Sequence, residues 1–107
     1  MPKYLVHARY TAEGLRGLIK DMASGRKAAV QKALKGLGGK LESMYYCFGK
    51  DDVILITDLP DNTAAAAMSI AVGASGLVDL QVTPLLTIEE IDKAVTLKSA
   101  YRAPGGE

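Results

Sequence analysis

Lys40-Leu41-Glu42-Ser43-Met44-Tyr45-Tyr46-Cys47-Phe48-Gly49-Lys50-Asp51-Asp52-Val53-Ile54-Leu55-Ile56-Thr57-Asp58-Leu59-Pro60 is the stretch that decides the fold. Two runs rich in aromatic and β-branched residues, Leu41 to Phe48 and Asp52 to Asp58, flank a short turn, and such residues suit a pleated, half-buried surface. Gly49-Lys50 fits a two-residue loop with glycine at the first central position, where positive φ is needed. The stretch therefore predicts a hairpin of two strands, the second stopped by Pro60.

Toward the N-terminus, Gly38-Gly39 ends a helical region. In it Leu15, Leu18, Ile19 and Met22 fall at i, i+3, i+4 and i+7, and Val30, Ala33, Leu34 and Leu37 repeat that spacing after an interruption at Ser24-Gly25. The pattern predicts one broken helix or two in series, capped by Thr11. Ahead of it, Tyr4 to Tyr10 reads as a first strand, with Tyr4, Val6 and Tyr10 on one parity and Leu5, His7 and Arg9 on the other. Toward the C-terminus, Asp61-Asn62 supplies a cap for an alanine-rich helix from Thr63 to about Ser75, with Ala64, Ala67, Met68 and Ala71 on one face. Gly76 ends it. Leu77 to Leu85 alternates Val78, Leu80 and Val82 with Asp79, Gln81 and Thr83, as a fourth strand should. Thr87-Ile88-Glu89-Glu90 is a capping box, with Leu86 and Ile91 placed for a hydrophobic staple, and predicts a last helix to about Lys98. Residues 1–98 thus form a single domain, and 99–107, containing Pro104-Gly105-Gly106, form an aperiodic tail.

The order βαββαβα predicts an α+β, ferredoxin-like, four-stranded antiparallel sheet with its main helices on one face. Val53-Ile54-Leu55-Ile56 is apolar on both parities. A face open to water would alternate, so the second face calls for a cover, and a second copy of the chain packed sheet to sheet is the economical one.

At 107 residues the chain can bury a core, and thirteen Lys and Arg against twelve Asp and Glu leave a net charge of +1. That balance argues against nucleic acid or an acidic membrane as partner. The five Tyr and one Phe have no basic run among them to make a stacking platform. The single Cys47 cannot form an internal disulfide, and Met1-Pro2-Lys3 leads straight into a strand without a signal-like segment; both point to the cytoplasm.

Met1-Pro2-x-Tyr4, Thr11-x-x-Gly14, Leu37-Gly38-Gly39-Lys40-Leu41, Gly49-x-x-Asp52 and the alanine-rich helix after Pro60-Asp61 together resemble the GYD domain proteins over roughly residues 1 to 97. The resemblance implies a small bacterial protein related in fold to the dimeric α/β barrels, and hence a homodimer or dimer-based assembly; it carries no activity with it. Of the Gly-x-Tyr-Asp signature, Gly49 and Asp52 match, whereas the tyrosine position holds Asp51.

If Tyr4, Val6 and Ala8 face the helices, then His7 and Arg9 face the other way. They meet Asp79, Gln81 and Thr83 there, with Tyr45 or Tyr46 added from the second strand. Imidazole, guanidinium, carboxylate and phenol above an apolar floor suit a small acidic or aromatic ligand. A plain Arg9–Asp79 ion pair, cross-strand or between subunits, is the competing reading, and Cys47 reads as a small buried hydrophobe. One His and one Cys fall short of a zinc site. Asp51 and Asp52, adjacent on a strand, point to opposite faces and cannot readily share an ion. Neither a metal nor a cofactor is expected. Two functions compete: a small dimeric ligand-binding or structural module, and a cofactor-independent enzyme of the monooxygenase or isomerase type. In the second, His7 is the candidate catalytic proton acceptor, Arg9 holds an anionic group and a tyrosine orients the substrate.

Overall fold

The computed structural model describes residues 1–106; Glu107, the end of the expected tail, lies outside the described residues. The elements are β1 (Lys3–Tyr10), α1 (Ala12–Gly36), β2 (Lys40–Tyr46), β3 (Val53–Asp58), α2 (Asn62–Ala74), β4 (Val78–Leu85) and α3 (Ile88–Ala94). The sheet is antiparallel throughout in the order β2-β3-β1-β4. This is the ferredoxin-like α+β arrangement expected. Pro84 sits within β4, an edge strand, where a missing N–H leaves no ladder bond broken.

One face of the sheet carries α1 and α2. Tyr4, Val6 and Ala8 of β1 and Val53 and Leu55 of β3 are buried there against Leu34 of α1 and Ala65 and Met68 of α2. The Tyr4 hydroxyl donates to Asn62 Oδ1 at 2.7 Å, so the largest side chain in this core leaves no polar atom unpaired. The C-terminal end of α1 closes as a Schellman turn: the Gly38 N–H reaches Lys35 O at 3.0 Å and the Gly39 N–H reaches Leu34 O at 2.8 Å. Gly38 takes the left-handed φ of 79° this requires.

The apolar stripe expected to bury α1 does not do so in its first part. Leu15, Ile19 and Met22 are exposed, and only Leu18 is half-buried. The cause is Gly14, whose backbone is pressed so close to Leu77 that an added Cβ would stand 2.1 Å from the Leu77 carbonyl oxygen. Thr11 holds this approach, its N–H donating to Leu77 O at 2.9 Å and its Oγ1 accepting from Gly14 N. The helix is thereby rotated so that Gly14, not Leu15, faces inward. The break in α1 falls at Met22, which has φ 65° and ψ 163°, rather than at Ser24-Gly25.

In α2, capped by Asp61 Oδ1 on Ala64 N at 2.9 Å, the inward face is Ala65, Met68 and Val72, while Ala67 and Ala71 are exposed. Alanine on every side leaves the pattern without a unique face: Met68 is buried while Ile70 is 71% exposed. The hairpin connection is also longer than the two-residue loop expected. Strand β2 ends at Tyr46 and β3 begins at Val53, because the Asp52 N–H donates to Ala8 O of β1 and the Cys47 N–H to Asp52 O. Cys47 is half-buried, its Sγ 3.3 Å from Asp51 O.

The capping box of α3 is present, with Thr87 and Glu90 bonded reciprocally, but the helix ends at Ala94 and every one of its residues is exposed. Leu86 and Ile91 are both open to solvent, 63% and 44%. The radius of gyration of 17.2 Å exceeds the roughly 13 Å of a compact domain of this length. Among the described residues no helix is long and apolar enough to cross a membrane.

Candidate functional site

Among the described residues no helix packs against the second face of the sheet. Register sets its rows: Tyr45 of β2 pairs with Ile54 of β3, Ile54 with His7 of β1, and His7 with Gln81 of β4. All four side chains share the open face. The next row sets Ser43, Ile56, Leu5 and Thr83 side by side. The floor is therefore apolar at Leu5, Ile54 and Ile56, and the polar groups gather toward one end.

His7, Arg9, Asp79 and Gln81 line one open depression of about 360 Å³ together with Lys50 and Asp51. Tyr45 lies on the same face two strands from His7, a separation of about 10 Å at ordinary strand spacing, and is 74% exposed. Tyr46 is not on this face. It packs against the helix-side core, its hydroxyl 3.1 Å from that of Tyr10. Burial, and then the hydrogen bond with Tyr10, push its phenol well above the ordinary range. A bulge between Leu41 and Ser43 explains why parity along β2 misleads: the extra residue, Glu42, carries Leu41, Met44 and Tyr46 to the helix side.

His7 Nδ1 is 3.1 Å from Asp51 Oδ2, both side chains about one-third exposed or less. A carboxylate only accepts, so Nδ1 carries the hydrogen and Nε2 is the basic nitrogen of the neutral ring. Asp51, which the sequence places in the hairpin turn, is thus the orienting partner of His7. The signal that could have found it is topological: β3 pairs with β1, so the loop entering β3 must pass beside the end of β1. Asp52 points the other way and accepts from Tyr10 N at 2.9 Å, as opposed neighbours on an extended chain should. Asp51 is the carboxylate that meets the one histidine of the sequence.

Arg9 is opposite Asp79 in register, yet no ion pair joins them. Its Nη1 donates instead to Gly49 O at 2.9 Å and Lys50 O at 2.6 Å. The guanidinium ties the hairpin loop down over the end of β1, which keeps Asp51 within reach of His7. At the opposite end of the face Lys3 Nζ bonds Glu42 at 2.7 Å and Asp58 at 2.8 Å. Those bonds, that to Asp58 first, raise the ammonium above its ordinary range. Among the described residues no cluster of three His, Cys, Asp or Glu side chains is placed to hold a metal.

A β2-β3-β1-β4 antiparallel sheet, clad by helices on one side and bearing a polar cluster on the other, defines a small ferredoxin-like α+β domain. The chain belongs to the GYD domain family, whose model matches residues 4–95. No curated protein and no solved structure gives a match.

Proposed function

We propose that the chain is a homodimeric binding module in which a second copy covers the open sheet face and closes the His7 depression over a small acidic or aromatic molecule. The observation that supports this is the apolar floor: Leu5, Ile54 and Ile56, each half-buried, lie on a face against which no helix packs among the described residues, and Tyr45 of the same face is 74% exposed. Contiguous apolar surface of this kind marks an interaction site. Native mass spectrometry of the purified chain and of Ile54→Lys tests the reading. The wild type should have the mass of a dimer and release a small molecule on gentle activation, and Ile54→Lys should be monomeric and empty. A monomeric wild type would overturn it.

The His7–Asp51 pair favours a second reading, a cofactor-independent enzyme in which His7 Nε2 accepts a proton from a small aromatic or acidic substrate and Asp51 fixes the ring. In that case Asp51→Asn, which keeps the hydrogen-bonding size but not the charge, should slow turnover by 10-fold or more. Equal turnover by His7→Ala and wild type would exclude it.

A further inference from the structure

A second opening lies on the other side of the sheet, where α1 and α2 approach the end of β1 and the start of β4. It has a volume of about 310 Å³, and its walls include Tyr10, Gly17, Leu18, Asp21, Arg26 and Val72. We propose that this cleft is a binding site for a small aromatic monocarboxylate, the ring system held between Leu18 and Val72 and the carboxylate on Arg26.

Three independent features converge here. The first is Gly17. A glycine inside a helix costs about 1 kcal/mol relative to alanine, and at Gly14 close packing against Leu77 requires it. At Gly17 nothing does: φ is not positive and an added Cβ would meet no atom within 4 Å. Its missing side chain leaves open space at the wall of the cleft.

The second is Met22. Its φ of 65° with ψ 163° is a conformation that non-glycine residues adopt at a cost of about 1–3 kcal/mol, and its side chain, 65% exposed, gains no burial in return. What the break achieves is placement. In a continuous helix residues five apart are separated by about 140° around the axis, so Asp21 and Arg26 would not look into one opening. Here both line it.

The third is the chemistry of the walls. Leu18 and Val72 are apolar and half-buried, and at the floor the Tyr10 hydroxyl is bonded to that of Tyr46. Among the described residues Arg26 makes one polar contact, at 3.5 Å to Asp21, which engages one of its five N–H donors. A guanidinium so placed pairs best with a planar carboxylate. The neighbouring Asp21 disfavours a second negative charge, hence a monoanion, and the volume, at the lower end for ligand sites, limits it to one or two rings.

The test is an amide NMR titration of the full chain with 2-naphthoate. Saturable shifts are expected at Gly14, Gly17 and Ser75, persisting in His7→Ala, so that the result is independent of the open face. Gly17→Leu, whose Cβ would meet no atom within 4 Å, should occupy the cleft and abolish the shifts while the chain stays folded; Arg26→Gln should weaken binding at least 10-fold. Shifts centred on Leu5, His7 and Gln81, no saturable shift at millimolar probe, or unchanged binding by Gly17→Leu would each overturn the proposal.

Discussion

The two faces of this sheet are built from the same four strands and obey different rules. On the helix side, Tyr4, Val6, Ala8, Val53 and Leu55 are at most 6% exposed and their neighbours are set by packing against Leu34, Ala65 and Met68. On the open side, Leu5, Ile54 and Ile56 sit among His7, Arg9, Lys3 and Gln81, half-covered by side chains of their own face. Stability is concentrated on the first face, whereas the second keeps groups with unspent hydrogen-bonding and packing capacity. The sheet separates what holds the chain together from what it can offer to another molecule.

Truncation should show the largest contrast. Leu34 is 1% exposed, and Leu34→Ala, by removing buried methyl groups and leaving a cavity, should cost about 3 kcal/mol. Tyr45→Ala on the open face, 74% exposed, should change the stability of the isolated chain by less than about 0.5 kcal/mol. Urea unfolding of both variants at low concentration checks the pair; comparable losses would show that the open face contributes to the fold of a single chain. Asp61→Ala comes next. The cap on Ala64 N is lost and α2 loosens at its start, for about 1 kcal/mol in the same measurement.

How much of this was legible beforehand depends on which interactions were local. The hairpin, the element order and the caps at Thr11, Asp61 and Thr87 follow from neighbours within four residues, and each is present. The alternation of β1 and β4 placed His7, Arg9, Asp79 and Gln81 on one face because both strands are regular. Distant contacts did the rest. The inward face of α1 is set by Gly14 meeting Leu77, sixty-three positions away, and the length of the hairpin loop by Asp52 bonding Ala8. Tyr46 was unreadable because β2 is apolar on both parities and a single bulge residue, Glu42, decides between them. Asp51 was missed because its partner is on another strand, and only the β1–β3 pairing brings the loop entering β3 beside His7.

Alkali sharpens the comparison by titration. The Tyr46 phenol, on the helix side, has its folded pKa raised above the ordinary value of 10.0 by burial and by Tyr10. The unfolded chain therefore ionises this group first. Its stabilising contribution is complete below pH 10 and is lost as the pH rises from there toward the folded value. Lys3 acts with the same sign from its ordinary 10.5 upward, but on the open face with its side chain 43% exposed. Urea midpoints between pH 9 and 11.5 should fall with rising pH. Tyr46→Phe, which removes the titrating group, should flatten that fall markedly, whereas Lys3→Met should flatten it only slightly. Equal slopes for wild type and Tyr46→Phe would mean that this phenol is not the group responsible.

The smallest intrinsic effect belongs to Phe48, and it is the most discriminating. At 98% exposure this ring touches almost nothing within its own chain, so Phe48→Ser should leave the unfolding free energy of an isolated chain within about 0.5 kcal/mol of wild type. A residue without intrachain burial can stabilise the native state only through another molecule. If a second copy covers the open face, the melting temperature of the wild type rises with protein concentration by mass action. In Phe48→Ser that rise should be weaker, with the two proteins converging on dilution. A difference that persists unchanged down to the lowest concentration would place the contribution of Phe48 inside one chain, and would remove the hairpin tip from any interface.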